Sequence, residues 1–462
     1  MSHPGIQDIL TDTALSAFRE IAHGTPEARI SFAPGRVNII GEHIDYNGLP
    51  VLPFATDAGT SILFAPGDEP VVRLMAVSMN NLPPLAFRLD EPVTPFTQGH
   101  WGNYVKAAAA DVVRFAGERG ASPPLRGMKG IVAGNLPVNA GVSSSSSLVV
   151  AAMLALHHCQ GWEIPPLETA ERAADAERFV GTRGGGMDQA ASLCGRAGHA
   201  MKISFFPLWI AHVPVPEGYV FLTAHCLADA RKSGEAMHSY NRRVLECRLI
   251  TFLVREHLAE MGCAQEDFHR LGDLARVIPG RAPQDWRHDL KGIFEETPMD
   301  KHGMETMMKQ AVERDSVFRR DFTGWDGDVS RLRIAARARY LFGEWERVER
   351  SAILLREGRM AELGVLLFEC HAGLRDDYEV SHPNADRLVD LAQASGIAGA
   401  RIMGAGFGGC TLHAVREEGI EKYEAYLDEQ FYHPMTGQSG RTWMRRFRPG
   451  AGAGIEKIDL NM

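Results

Sequence analysis

The sequence contains no C-x-x-C pair. Its seven cysteines (Cys159, Cys194, Cys226, Cys247, Cys263, Cys370 and Cys410) are scattered and odd in number, and several sit in apolar surroundings. That pattern argues against a disulfide framework and for reduced, buried thiols in a cytosolic protein. His157, His158 and Cys159 are adjacent at the end of an apolar helical run, the wrong spacing for a zinc site. No hydrophobic run approaches membrane length, the longest being Leu148 to Leu156. Met1 to Leu10 has neither a basic n-region nor an apolar h-region, so no secretory signal is expected and the location is read as cytoplasmic. An excess of positive charge is also missing. The 49 basic residues against 58 acidic ones give a formal net charge of −9, which argues against nucleic acid or an anionic membrane as partner.

What is present is an ordinary soluble composition, 45% hydrophobic and 23% charged over 462 residues. That length corresponds to about two or three domains with a large core. There is no internal repeat, and the only low-complexity tract is the five serines Ser143 to Ser147. A strand-like segment, Met128 to Ala133, enters this tract through Gly134-Asn-Leu-Pro-Val-Asn-Ala-Gly-Val142, and an apolar helix leaves it. Serine is favoured as a helix cap, and a small-residue loop opening into a helix N-terminus offers free N–H groups and the positive dipole end to phosphate. The loop is not of the Walker type, since no Gly-Lys-Ser/Thr follows.

Upstream, residues 11 to 22 read as an amphipathic helix and Arg29 to Ala33 as a strand. In the next block, Ala33 to Gly48, Arg36 and Asn38 fall on one face of an extended segment, with Val37 and Ile39 on the other. Glu42, His43 and Asp45 follow, ahead of the apolar stretch Val51 to Ala55. Charged groups held between two hydrophobic strands are costly without a ligand, so this block is a candidate binding site. Ser61 to Phe64 and Val71 to Ala76 continue the strand pattern, and Pro83 to Pro95 reads as an irregular connection. A helix then begins at Trp101 and runs towards Phe115. Trp101 and Tyr104 share one of its faces, for which core packing is the simplest account.

Beyond the serines, Pro166 to Phe179 reads as a charged helix bearing Glu177, followed by Gly184-Gly-Gly-Met-Asp-Gln189. A helix end needs one glycine. Three before an acid demand an unusual backbone, which makes Asp188 a candidate catalytic carboxylate. Strands are expected at Ala200 to Ser204 and Tyr219 to Ala224, and a long helix at Ala236 to Glu260. Residues 262–325 look like an insertion. Arg331 to Arg356, rich in Arg and Glu, reads as a helix with a solvated face, and Ala385 to Ala394 as another helix. Gly404, Gly406 and Gly409 match G-x-G-x-x-G, but the residues after them alternate as a strand rather than opening a helix, so a dinucleotide site is not expected.

Taken together, Gly35 to Gly48, the serine loop, Gly184 to Gln189, Leu374 to Ser381 and Gly404 to Thr411 resemble the GHMP family of small-molecule kinases, in its galactokinase and N-acetylgalactosamine kinase branch. The resemblance runs from residue 29 to the C-terminal Pro449-Gly-Ala-Gly-Ala-Gly454. It implies a two-domain α+β fold. An N-terminal domain like the second domain of ribosomal S5 (residues 1–215) holds the phosphate loop, a C-terminal ferredoxin-like domain spans 216–462, and the active site lies in the cleft between them. It further implies transfer of the ATP γ-phosphoryl group to the C1 hydroxyl of galactose. Asp188 and Arg36 would be catalytic, and Arg36, Glu42, His43, Asp45, Gly185, Asp188 and Tyr240 would meet the sugar. Trp101 and Tyr104 would line the adenine site, Asn139, Gly141, Ser143, Ser144, Ser145 and Ser146 would meet the phosphates, and Ser144 and Glu177 would hold Mg²⁺. No oligomer is required by this reading, a monomer being adequate.

The chain departs from the family's usual phosphate loop at Asn139 and Val142, where Gly and Leu are common. Its triple glycine, Ile44 and the insertion resemble the N-acetylgalactosamine kinase and fungal branch, whereas Asn47 resembles common galactokinases. An N-acetylgalactosamine kinase and a non-catalytic sugar-binding regulator therefore stand beside galactokinase as alternatives. The intact Arg36, Asp188, Glu177 and serine run favour an enzyme.

Overall fold

A computed structural model describes residues 9, 11–22, 28–77, 82–120, 125–137, 141–181, 184–228, 235–263, 268–295 and 300–458. The first sheet has six strands: β1 (Arg29–Asn38), β2 (Pro53–Pro66), β3 (Val71–Ala76), β4 (Leu85–Arg88), β5 (Met128–Gly134) and, returning from the far end of the chain, β12 (Gly454–Lys457). Their order is β12-β1-β2-β5-β3-β4, with β3 and β5 the parallel pair. Both faces of β1 are buried, as its alternation requires. Ile30 and Phe32 pack with Phe18 of the Asp12–Ile21 helix, while Ala33 and Val37 join the main core beneath the Ser144–Cys159 helix. Ser31 faces that helix too, and its hydroxyl donates to Ala151 O at 2.9 Å.

A bulge at Gly35 interrupts the β1–β2 register between Pro34 and Arg36. Glycine is required there, because a Cβ on Gly35 would lie 2.5 Å from Val142 O. The close approach lets Arg36 N donate to Val142 O at 3.1 Å, so the loop before the serines is stitched to the strand. Gly59 opposite serves the same end, since its Cβ would lie 2.3 Å from Ala33 O. Ser147 satisfies the groups freed nearby: it donates to Ala33 O at 2.6 Å and accepts Thr60 N at 3.1 Å.

The remaining named strands are β6 (His199–Ser204) and β7 (Trp209–Pro214), which form a two-stranded sheet, and β8 (Tyr219–His225), β9 (Gly399–Ile402), β10 (Cys410–Arg416) and β11 (Met444–Phe447). The last four are antiparallel in the order β11-β8-β10-β9. Strand, helices, two strands, helix and strand in that order give the ferredoxin-like arrangement. Glycines 404 to 409 turn β9 directly into β10, with Ile402 opposite Thr411, so the G-x-G-x-x-G match opens no helix.

Several expectations are corrected. Val51 to Ala55 and Ser61 to Phe64 belong largely to one strand, β2, because Gly59 carries the chain straight past β1. Pro83 to Pro95 is not wholly irregular, since it contains β4. The α-helix from Pro166 ends at Ala176, and Glu177–Val180 is a 3-10 turn closed by Gly181 at φ 85°. Gly454–Lys457 belongs to the first sheet rather than to the C-terminal part in which the sequence reading included it.

The Arg- and Glu-rich helix, Ile334–Arg356, does not present a solvated face throughout. Arg337 and Glu344 on it are fully buried. Arg337 pairs with the buried Glu246 at 2.8 Å and with Glu379 at 2.7 Å, and its third nitrogen donates to Asp377 O. Arg243 completes the cluster by donating to Tyr378 O at 2.6 Å and Glu379 O at 3.0 Å. A composition of alternating charges does not reveal which of them a second helix, Glu235–Glu260, will cover. Removing one member strands a buried charge. Arg337→Met is therefore expected to destabilise the protein by about 3 kcal/mol or more, read as a lowered denaturation midpoint in urea.

Candidate active site

The serine loop, the glycine-rich turn and β1 converge on one carboxylate. Arg36 Nε donates to Asp188 Oδ1 at 2.7 Å, and its Nη1 donates to Gly141 O. Ser143 Oγ donates to Asp188 Oδ2 at 2.5 Å. Asp188 stands in the first turn of the Met187–Cys194 helix, which Gly186 enters at φ 96°. The expected serine cap is not observed. Ser143 occupies the N-cap position of the Ser144 helix with φ 59° and makes no cap hydrogen bond, because its hydroxyl is committed to Asp188. The helix start consequently keeps its N–H groups free of a side-chain cap.

The other serines divide the remaining work. Ser144 and Ser145 are half-buried at the loop, Ser146 is buried and accepts from Gln189 Nε2 at 3.4 Å, and Ser147 serves the sheet. Asn139 lies outside the described residues. Tyr104 is half-buried on the Gly102–Glu118 helix. Its phenol is pushed up by burial and then by the nearby Glu177 carboxylate. Trp101 is half-buried at the N-cap of that helix, with Nε1 donating to Pro83 O at 3.1 Å and the indole stacked against His100. Glu177 itself is buried on its 3-10 turn. Glu177 and Tyr104 are thus neighbours.

A hydroxyl and a carboxylate fit Mg²⁺, which takes hard oxygen ligands and fills its shell from phosphate and water. By the family resemblance, Ser144 would supply a hydroxyl and Glu177 a carboxylate. Among the described residues no group of three or more His, Cys, Asp and Glu side chains could hold a metal, so a dedicated protein cage is not offered.

Beyond Asp188 the acidic block lines a second, largely buried surface. Glu42 Oε1 accepts from Arg401 Nη2 at 3.1 Å and from Gly404 N at 2.9 Å. Arg401 is fully buried and also holds Ile39 O at 2.7 Å and Asn38 O. These bonds dock the third glycine turn onto the Gly35–Gly48 block. A Cβ on Gly404 would meet Gly141 Cα at 3.5 Å, which brings the two glycine turns face to face. Asp45 Oδ2 accepts Gly185 N at 3.1 Å. Gly185 must be glycine whatever binds here, because its Cβ would lie 2.6 Å from the Asp45 carbonyl carbon. Only Gly184 faces open space.

His43 sits at φ 62° in an aromatic corner, its ring 5.0 Å from Tyr378 and 5.8 Å from Tyr240. Burial lowers its pKa to about 4, so the imidazole is neutral at pH 7. Tyr46 OH lies 2.6 Å from Tyr378 OH, which in turn lies 3.2 Å from Cys247 Sγ. Of the residues that the sequence reading groups at the sugar, Arg36 meets Asp188, Asp45 meets Gly185, and the rings of His43 and Tyr240 lie 5.8 Å apart. That reading missed Arg401, Tyr46 and Tyr378. An arginine inside the short apolar strand β9 was the available signal for Arg401, since such a charge needs a buried partner.

Against known sequences, three family descriptions match: the galactokinase galactose-binding signature at residues 16–66, the GHMP kinases N terminal domain at 103–196 and the GHMP kinases C terminal at 351–433. A galactokinase from Roseiflexus sp. (strain RS-1) is 31% identical over 91% of this chain and 91% of its own, and one from Dictyostelium discoideum 29% over 90% and 86%. Lactococcus lactis galactokinase, crystallised with galactose, superposes with a TM-score of 0.72 at 24% identity, covering 95% of this chain and 98% of its own. A mevalonate kinase gives 0.53 at 17% identity over 91% and 99%. The chain belongs to the GHMP kinase family. Within it, the homology to the galactokinase branch is strong. No described helix is long and apolar enough to cross a membrane.

Asp45 carries a testable electrostatic consequence. Burial, then the Asp188 charge, raise its pKa to about 6. Between the ordinary value near 4 and that value the native state holds a proton that the unfolded chain has released. Its stabilising contribution is full below the lower pKa and lost as pH rises through the upper one. Asp45→Asn, which keeps an acceptor for Gly185 N but cannot ionise, should raise the melting temperature more at about pH 7.5 than at about pH 5. Thermal unfolding at the two pH values checks this.

Proposed function

We propose that the chain is an ATP-dependent sugar 1-kinase. It would transfer the γ-phosphoryl group to the anomeric hydroxyl of galactose and give galactose 1-phosphate and ADP. The observation that carries this reading is the Arg36–Asp188–Ser143 contact set, placed between a helix N-terminus suited to phosphate and an acidic block suited to sugar hydroxyls. The galactose-binding signature over residues 16–66 supports the choice of sugar. Asp188 would accept the proton of the C1 hydroxyl as the new O–P bond forms and the bond to the β-phosphate oxygen breaks. Arg36 orients Asp188 through its Nε–H donor and lies where charge on the attacking oxygen can be stabilised.

N–H groups of Gly141 to Ser145 would hold the triphosphate. Trp101 and Tyr104 would border the adenine. Mg²⁺, when bound through Ser144 and Glu177, would supply charge neutralisation to the phosphates. Glu42, neutral His43, Asp45 and Tyr240 would read the sugar hydroxyls, and an epimer that leaves one of them unpaired is discriminated against. Arg401 and the Gly404 turn fix Glu42 for that task. Ser143 acts on Asp188 rather than as a helix cap. We place the division between the domains at the turn between β7 and β8, residues 215 and 216.

The substrate choice rests on Asn47 and on the limited room at the glycine triplet. Because Gly185 is held by Asp45, the space left for a C2 acetamido group reduces to that beside Gly184. Galactose should be the main substrate, with detectable activity on N-acetylgalactosamine. A coupled assay over galactose, N-acetylgalactosamine, arabinose, galacturonate and glucose tests this. A kcat/KM preference of about tenfold or more for N-acetylgalactosamine, roughly 1.4 kcal/mol, would overturn it. Asp188→Asn should abolish phosphoryl transfer while galactose still binds, measured by calorimetry beside the kinase assay. Near-wild-type turnover in that variant would remove Asp188 from the chemistry.

A further inference from the structure

A thiol and two phenol hydroxyls form a row from the Glu235–Glu260 helix to the His43 ring. Cys247 Sγ, buried on that helix, lies 3.2 Å from Tyr378 OH, which lies 2.6 Å from Tyr46 OH, and Tyr46 OH lies 3.3 Å from His43 Nδ1. Both ends of the row are fixed by backbone contacts. Tyr378 N donates to Gly373 O at 2.8 Å, and the Tyr340 ring packs against the Tyr378 ring at 4.6 Å. Tyr46 stands on the Asp45–Asn47 turn, where Asp45 is tied to Gly185 and Asn47 Nδ2 donates to His43 O at 3.1 Å.

Each member of the row has one proton to give, so its hydrogen bonds point one way throughout. Burial pushes the Cys247 thiol up to about 11 and both phenols above their ordinary range, so all three keep their protons at neutral pH. The strongest acceptor in the row is the imidazole nitrogen, whereas a thiol sulfur accepts weakly. The order that ends on Nδ1 is therefore favoured: Cys247 donates to Tyr378, Tyr378 to Tyr46, and Tyr46 to His43. A neutral imidazole has one ring proton, which this order puts on Nε2. His43 Nε2 is buried and has no partner at hydrogen-bond geometry among the described residues. We infer that Tyr46 and Tyr378, backed by Cys247, are positioning residues that hold His43 in the tautomer whose Nε2–H donates to an oxygen of the bound sugar. The sugar as acceptor rests on the proposed sugar site, whereas the tautomer does not. Loss of a hydroxyl from the row costs sugar affinity and leaves Arg36 and Asp188 untouched.

Nitrogen NMR of protein carrying isotope-labelled histidine reads the tautomer without any ligand, the His43 signals being those lost in His43→Gln. In the wild type Nε2 should carry the proton and Nδ1 should be bare. Tyr46→Phe removes one oxygen and keeps the ring, so it is expected to fold, and it should give a mixture of the two tautomers. A wild-type proton on Nδ1, or nitrogen shifts unmoved by Tyr46→Phe, overturns the proposal. Tyr378→Phe tests the inner link, because Tyr378 is fully buried and its hydroxyl meets only Tyr46 and Cys247. That variant should weaken calorimetric galactose binding and raise the sugar KM about threefold or more, with kcat and the ATP KM changed by less than about twofold. Unchanged galactose affinity, or a loss shared equally by kcat and the ATP KM, overturns the role of Tyr378 and Cys247. If the wild type binds no galactose, the sugar reading fails, and the nitrogen shifts still decide the tautomer.

Discussion

The Arg36 guanidinium is the contact on which the site depends. It stands on β1 immediately after the Gly35 bulge, and its two outer bonds reach Asp188 from the glycine turn and Gly141 from the serine loop. One cation therefore holds three segments that are far apart in the chain. The bulge is what makes this geometrically possible. A side chain at 35 would push Val142 away and open the gap that Arg36 spans. The sheet, the loop and the carboxylate are one unit, and Ser143 closes it from the other side of Asp188.

A second cation repeats the device between the two domains. Arg401 is wholly buried, and it binds the carbonyls of Asn38 and Ile39 together with the Glu42 carboxylate. Its burial would be costly if any of these partners moved away. The docking of the C-terminal sheet onto β1 and the orientation of Glu42 are therefore coupled. Glu344 and Tyr340 extend the same logic to the Ile334 helix, whose inner face clamps Gly41 and Glu42 while its outer face meets the insertion. Three non-glycine residues at positive φ near this junction, His43, Glu379 and Phe407, lie beside such buried polar contacts, which hold a backbone that is otherwise disfavoured.

Much of this was legible in the sequence, and the parts that were not share a cause. Strands β3, β5, β6 and β8 and the helices at Asp12, Gly102 and Glu235 follow from local periodicity, which needs no partner. Asp188 was legible because three glycines beside an acid exceed what a helix end requires. Strands β4, β7, β11 and β12 were missed, being short or edge segments, and the pairing of β11 and β12 comes from distant chain. The serine tract shows the limit most plainly. Five identical residues carry no internal signal of role, yet Ser143 meets Asp188, Ser146 meets Gln189 and Ser147 ties the sheet.

The sequence by itself determined the family: the order of its motifs, a small-residue loop before a helix, an acidic block after β1 and a carboxylate at a glycine turn, is that of the GHMP kinases. Those motifs are local, and their backbone demands are written in glycine, serine and charge. Only the tertiary structure decided which charges are buried and against what. Arg337 and Glu344 lie in a helix that reads as solvated, and Arg401 lies in a strand, β9, that the sequence reading did not identify. Burial of a charge depends on the element packed over it, and that element is supplied from elsewhere in the chain.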